Sequence, residues 1–159
     1  MGGDRQLLTD IRLQLQHSEL RPVYVVATDQ RRISADINVL TDIGKISGSD
    51  NLVQAVILRL LTPQGELTEL AHPNYGSRLH ELIGQQNTPT TRNLMKLFIL
   101  QSLKQEPRIE KVEEVAVTPI DGSRTREDVR HRVNVLIRVK PIGETSSVTI
   151  GPFVLELGQ

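Results

Sequence analysis

The chain contains no cysteine and no tryptophan, and only two tyrosines and two phenylalanines among its 159 residues. Without thiols it has no disulfide framework, no thiolate zinc site and no cysteine nucleophile, which suits a reducing compartment. So few aromatic rings leave little surface on which bases or sugars could stack. Net charge is missing too: 19 basic residues balance 19 acidic ones, so the field expected of a nucleic-acid or anionic-membrane binder is absent. No stretch approaches the length that spans a bilayer, and residues 1–10 lack the order of a signal peptide. A soluble chain is expected, with no nucleic-acid partner and no direct membrane insertion. At this length a single domain buries roughly two-thirds of its unfolded surface and folds without staples.

The pattern that is present changes period along the chain. Residues 1–45 are ambiguous, because Leu8, Ile11 and Leu15 fit one helical face whereas Ile11, Leu13 and Leu15 fit a strand. Helix is the reading taken there, followed by a short strand from Val23 to Ala27 and a polar, turn-like segment from Asp29 to Arg32. The whole forms an N-terminal extension, packed on the core or serving as a partner-binding arm, with the main domain over 46–159. Ser47 and Asp50 have capping-box spacing and open a helix through Leu52, Val53, Val56 and Leu60, with Gln54 and Arg59 on its wetter side. Thr62-Pro63-Gln64-Gly65 reverses the chain. A structural turn follows around Pro73, Tyr75 and Gly76, after which Ser77 caps a short second helix from Arg78 to Ile83. Thr88-Pro89 starts a third, lined by Leu94, Leu97, Phe98 and Leu103 and stopped by Pro107.

Beyond Arg108 the apolar residues alternate. Val115 and Val117 mark one strand, and Val133, Val135, Ile137 and Val139 a second, joined by a charged loop from Asp121 to Arg130. Val148 and Ile150 begin a third, which Gly151-Pro152 interrupts as a bulge or bend before Phe153, Leu155 and Leu157 resume it. The fold class expected is α+β: a three-helix layer packed on an antiparallel sheet of about three strands, with a C-terminal β-hairpin.

Catalytic signatures are scarce. His80-Glu81 opens like a zinc-protease motif, but Gly84 stands where the second histidine must return to the same helix face, so no metal or other cofactor is expected. There is no Gly-x-Ser-x-Gly elbow and no phosphate-cradling loop. A glycosidase needs only two carboxylates about 5 to 9.5 Å apart, one of them kept protonated, and Glu66, Glu69, Glu81 and Glu106 are candidates. Nothing in the spacing makes any two of them converge. Glu106 is odd because it sits at a helix C-terminus, the wrong end of the macrodipole for an anion. Either Arg108 compensates it locally or both charges pair across a subunit interface.

The order of Arg59-Leu60-Leu61-Thr62-Pro63, Gly65-Glu66, His72-Pro73-Asn74-Tyr75-Gly76-Ser77-Arg78-Leu79 and Glu106-Pro107-Arg108-Ile109 resembles the phage-tail lysozyme-like baseplate wedge family. Its relatives include the sheath initiator of contractile phage tails, the corresponding type VI secretion subunit and the equivalent in extracellular contractile injection systems. The likeness spans about residues 46–157. It implies a non-enzymatic structural protein that links the baseplate wedge to the first sheath ring and templates the sheath by strand addition. Glu106, Pro107 and Arg108 match the family's Glu-Pro-Arg motif, which implies contact with baseplate wedge proteins. The segments 131–140 and 146–157 correspond to its sheath-docking hairpin, which assigns sheath binding to Val133, Val135, Ile137, Val139, Val148 and Ile150. Inner tube and spike or hub proteins are further implied neighbours, with several copies, six by expectation, in a ring. The implied place is a phage tail-like particle assembled in the cytoplasm. A peptidoglycan-degrading glycosidase of the tail is the alternative, and a soluble adaptor unrelated to tails a third.

Overall fold

Where apolar residues recur at helical spacing, the computed structural model forms two α-helices; it describes residues 8–17, 23–32, 39–120 and 131–157. Helix α1, Gly48–Leu61, buries Leu52, Val56, Leu60 and Leu61. Its start is not the expected capping box, since the Ser47 side chain makes no cap hydrogen bond. Helix α2, Pro89–Leu103, does start as its sequence dictates: Pro89 opens it and the Thr88 hydroxyl accepts from Thr91 N at 3.1 Å. Met95, Phe98, Ile99 and Leu103 face the core, whereas Leu97 is exposed.

The three-helix layer on a three-stranded sheet is corrected in both layers. Between the helices lies no third α-helix but a 3-10 turn, Leu79–Leu82. Its buried residues, Leu79 and Leu82, stand three apart, and that spacing suits a three-residue turn in which i and i+3 eclipse. A second such turn, Thr68–Leu70, precedes it. The strands are also more numerous, nine among the described residues, so the molecule is a sheet-rich α+β protein.

Six of these strands lie before α1, where a helix, a short strand from Val23 to Ala27 and a polar turn were expected; the expected strand is present as Val23–Val26, and the helix and turn are replaced by strands. They are β1 (Thr9–Ile11), β2 (Leu13–His17), β3 (Val23–Val26), β4 (Thr28–Arg32), β5 (Val39–Ile43) and β6 (Lys45–Ser47). They pair antiparallel as β1 with β6, β2 with β3 and β4 with β5. The three ladders meet at Arg12, Ala27 and Gly44, whose backbones close a ring: Arg12 N donates to Gly44 O, Gly44 N to Ala27 O and Ala27 N to Arg12 O, at 2.7 to 2.9 Å. Each junction residue thus satisfies its polar groups just where its own ladder ends. Glycine is required at the centre, because a Cβ on Gly44 would lie 2.9 Å from both Ala27 O and Arg12 Nη2. Gln54 of α1 moors this star to the body: its amide accepts from Leu13 N at 2.8 Å and donates to Ile11 O at 2.9 Å.

The remaining strands, β7 (Ile109–Pro119), β8 (Arg132–Pro141) and β9 (Val148–Glu156), form one antiparallel sheet in the order β7-β8-β9. Val133, Val135, Ile137 and Val139 are wholly buried against the helices. Burying each is worth roughly 1.5–3 kcal/mol as an upper figure. Strand β7 carries two bulges, with Glu110 and Glu113 as extra residues opposite β8. Each insertion turns a spacing of three into a shared face, so Ile109, Val112 and Val115 all pack on the core. The 121–130 loop lies outside the described residues.

Candidate functional site

Two features of the body are candidates for function, one electrostatic and one made of backbone. The first gathers where α1 ends, where α2 ends and where the 71–78 turn crosses between them. That turn is stitched to both helices: Ser77 Oγ donates to Leu60 O at 2.5 Å and Ser102 Oγ to Gly76 O at 2.9 Å. Ser77 and Thr62 add a backbone bond of 2.9 Å. Gly76 has φ +106, and a Cβ there would lie 2.5 Å from Thr62 O, so the approach admits no side chain. Pro73, Tyr75 and Gly76 therefore shape one wall of the cluster; Pro73 is exposed, Tyr75 half-buried and Gly76 buried.

Behind this wall Glu106 is only 5% exposed. Arg108 Nε donates to its Oε1 at 2.6 Å, and Arg59 Nη2 to its Oε2 at 3.3 Å. Burial by itself would raise the Glu106 carboxyl, but the Arg108 hydrogen bond and the charges of Arg108 and Arg59 outweigh it and hold it below the ordinary glutamate range. The Arg59 guanidinium lies over the Tyr75 ring, 4.5 Å from its centroid. Burial pushes the Tyr75 phenol up, with Arg59 opposing that rise. The expectation of Arg59 on the wet side of its helix is overturned, since it is 8% exposed and completes the ion cluster. Sequence reading missed it because its counter-ion is 47 residues away. The one sequence-level sign was a cation inside the otherwise apolar run of residues 55–61. Pro107, between the paired residues, is exposed.

Of the other carboxylates, Glu66 is exposed ahead of the Thr68–Leu70 turn and Glu69 is exposed within it. Glu81 is held by a two-point pair with Arg78, both contacts 2.7 Å, and that hydrogen bond draws its carboxyl below the usual range. Neither Glu81 nor Glu106 is kept protonated, as a general acid must be. His80 serves its own turn, with Nδ1 donating to Ser77 O at 3.1 Å.

The second feature is the sheet edge. Val133, Val135, Ile137 and Val139 lie on β8, the central strand, whose backbone is paired on both sides. Among the six residues assigned to sheath binding, Val148 and Ile150 alone lie on an edge strand, β9. No described strand pairs with the outer side of β7 or β9. The edges differ in character. Strand β7 presents two bulges and the charges of Glu110, Lys111, Glu113 and Glu114, devices that discourage strand addition. Strand β9 has no charge from Val148 to Leu155, and its single irregularity is the Gly151-Pro152 bulge opposite Leu136.

The model of the family described as baseplate wedge protein gp25 matches residues 47–142. The chain belongs to that family. Membership in the gp25 family makes it a baseplate component of a phage-type tail, working among other baseplate proteins. The matched span holds both helices and the whole ion cluster, whereas β9 and all of the star but Ser47 fall outside it. A crystal structure of a Geobacter sulfurreducens protein, provisionally named a tail lysozyme, is similar with a TM-score of 0.54 at 21% identity; the match covers 70% of this chain and 95% of that one. At such identity the likeness speaks for the fold alone. No curated protein matches the chain. No helix among the described residues is long and apolar enough to cross a membrane.

Proposed function

We propose that this gp25-family chain is a non-enzymatic connector, which docks on the baseplate wedge through the surface around Glu106, Pro107 and Arg108 and seeds the first ring of a contractile sheath. The sheath contact is strand addition to β9. An unpaired edge offers a row of amide and carbonyl groups, so a partner strand gains affinity from backbone bonds whatever its side chains. The observation that carries the reading is the family match over residues 47–142, joined to the uncharged, unpaired edge of β9. The residues of β8 contribute indirectly, because their buried side chains hold the sheet on which β9 is displayed.

The test is a proline at Val148 in the full chain, with circular dichroism to verify that the sheet persists. Particles carrying folded V148P should have complete baseplates and no sheath. Sheathed particles containing that variant would count against β9 as the docking edge. Residues 1–45 are proposed as a separate extension that reaches a further partner, because among the residues whose burial is described none before Leu52 belongs to the buried apolar core.

A further inference from the structure

The ion cluster is unbalanced. Arg59 and Arg108 carry two positive charges and Glu106 one negative charge, so the group retains one net positive charge beneath the protein surface. A guanidinium has five N–H donors. Among the described residues Arg59 meets an acceptor only through Nη2, on Glu106, while its Nε is sealed from solvent with no acceptor at all. Buried polar groups are normally paired, and a charged one left short of partners marks either strain or a missing ligand. Here a cleft of about 480 Å³ opens above the side chain, walled by the 71–75 turn on one side and Gln105 on the other, with Arg59 among its lining residues. The walls at His72, Asn74 and Gln105 are polar and contribute no carboxylate that could complete the guanidinium from within.

We infer that this cleft receives the carboxylate of an aspartate or glutamate side chain from a partner baseplate protein, which pairs with the Arg59 guanidinium and neutralises the cluster. The inference rests on the wedge-docking reading above and names the chemistry of that contact. An anion is selected over a neutral acceptor by the unbalanced charge. A partner's side chain is the source argued for because the cleft, through Gln105, adjoins the Glu106–Arg108 surface proposed to dock on the wedge. Glu106 is then the internal half of a two-sided cage, orienting Arg59 by holding Nη2, and the incoming carboxylate is the external half. Tyr75 gains a role in the same arrangement. Its ring covers one face of the guanidinium and leaves the Nη donors that Glu106 does not hold to meet the carboxylate in the plane, the direction in which arginine binds carboxylates best.

Two measurements on the full chain decide it. In the first, the Arg59 Nε–H resonance is followed by NMR while N-acetyl-glutamyl-N-methylamide is added as the probe. A saturable shift in roughly the millimolar range is expected, and none with the glutamine analogue. In the second, His72→Glu places a carboxylate on the exposed wall of the cleft, with His72→Gln as the neutral control. The glutamate variant should abolish the probe's shift and lower incorporation into particles about tenfold, while His72→Gln incorporates normally. Gln105→Glu serves as a second test of the same kind from the opposite wall. A probe that leaves the Arg59 resonance unmoved overturns the inference, and so does normal incorporation of both glutamate variants. If the wild-type chain is absent from tail particles, the baseplate reading fails instead, while the NMR result still decides whether the cleft binds a carboxylate.

Discussion

Glu106 shows what a single residue contributes here and how little of it the sequence discloses. Its position at the end of a helix marked it as an anion in need of compensation, and Arg108, two residues on, was the visible partner. Arg59 was not visible as a partner, because a lone arginine in an amphipathic helix reads as solvent-facing until its distant counter-ion is known. Burial decides the energetics. Replacing Glu106 with alanine strands two arginines, one of them inside the core, and should cost about 3–5 kcal/mol in urea unfolding, far above the cost at an exposed pair. Glu106→Gln should cost less, since it keeps the shape and one acceptor. The same residue dictates an acid response. Because Arg108 and Arg59 hold its folded carboxyl below the value it takes when unfolded, its contribution is complete above the ordinary glutamate range and disappears as pH falls below that range. Wild-type stability should therefore drop steeply in that acid interval, and the Glu106→Gln variant should show a shallower drop. Parallel slopes in the two proteins would remove Glu106 from the account.

Among the elements, the junction of three ladders depends on Gly44. Gly44→Val would drive a branched side chain into Ala27 O and the Arg12 guanidinium, both 2.9 Å from the first added carbon. The ring of three backbone bonds should open, and with it the star, because two-stranded ladders are at best marginal in water by themselves. Hydrogen exchange should rise at Arg12, Ala27 and Gly44 while amides of β8 stay protected; loss of protection in β8 as well would mean that star and body unfold as one. This element also shows why parts of the fold escaped the sequence. Long, regular periods were readable: the face of α2, the alternation of β8 and the Gly151-Pro152 bulge are all written in consecutive residues. Apart from the β-branched run at Val23, the star was not, since its strands are three to five residues long, too short for a period to distinguish helix from strand. Strand β7 was read only at Val115 and Val117, because its apolar residues at 109, 112 and 115 mimic helical spacing until two bulges are inserted. The short second helix failed for the converse reason, as two leucines three apart satisfy a 3-10 turn equally well.

At the scale of the whole molecule, the proposed division at residue 45 makes a separate demand. Among the described residues the body holds the buried core, both helices and the three-stranded sheet, and α1 meets the star at β1 and β6 and through the Gln54 amide. Removing residues 1–45 exposes that amide to water, which can satisfy it, and uncovers Val53 and Ile57 on the flank of α1, which lie beside the star in an open groove. Val53 and Ile57 are partly buried neighbours of the core, and its fully buried residues from Leu52 onward stay in the truncated chain. The truncated chain should thus unfold in one cooperative transition, with a urea slope reduced roughly in proportion to the surface removed. Composition supplies the probe. The chain has two tyrosines and no tryptophan, and truncation eliminates Tyr24, so the remaining fluorescence comes from Tyr75 beside Arg59. If the body is autonomous, Tyr75 fluorescence and circular dichroism will trace the same transition. If Tyr75 is released at lower urea than the helices, the ion cluster depends on the star and the division at residue 45 is wrong.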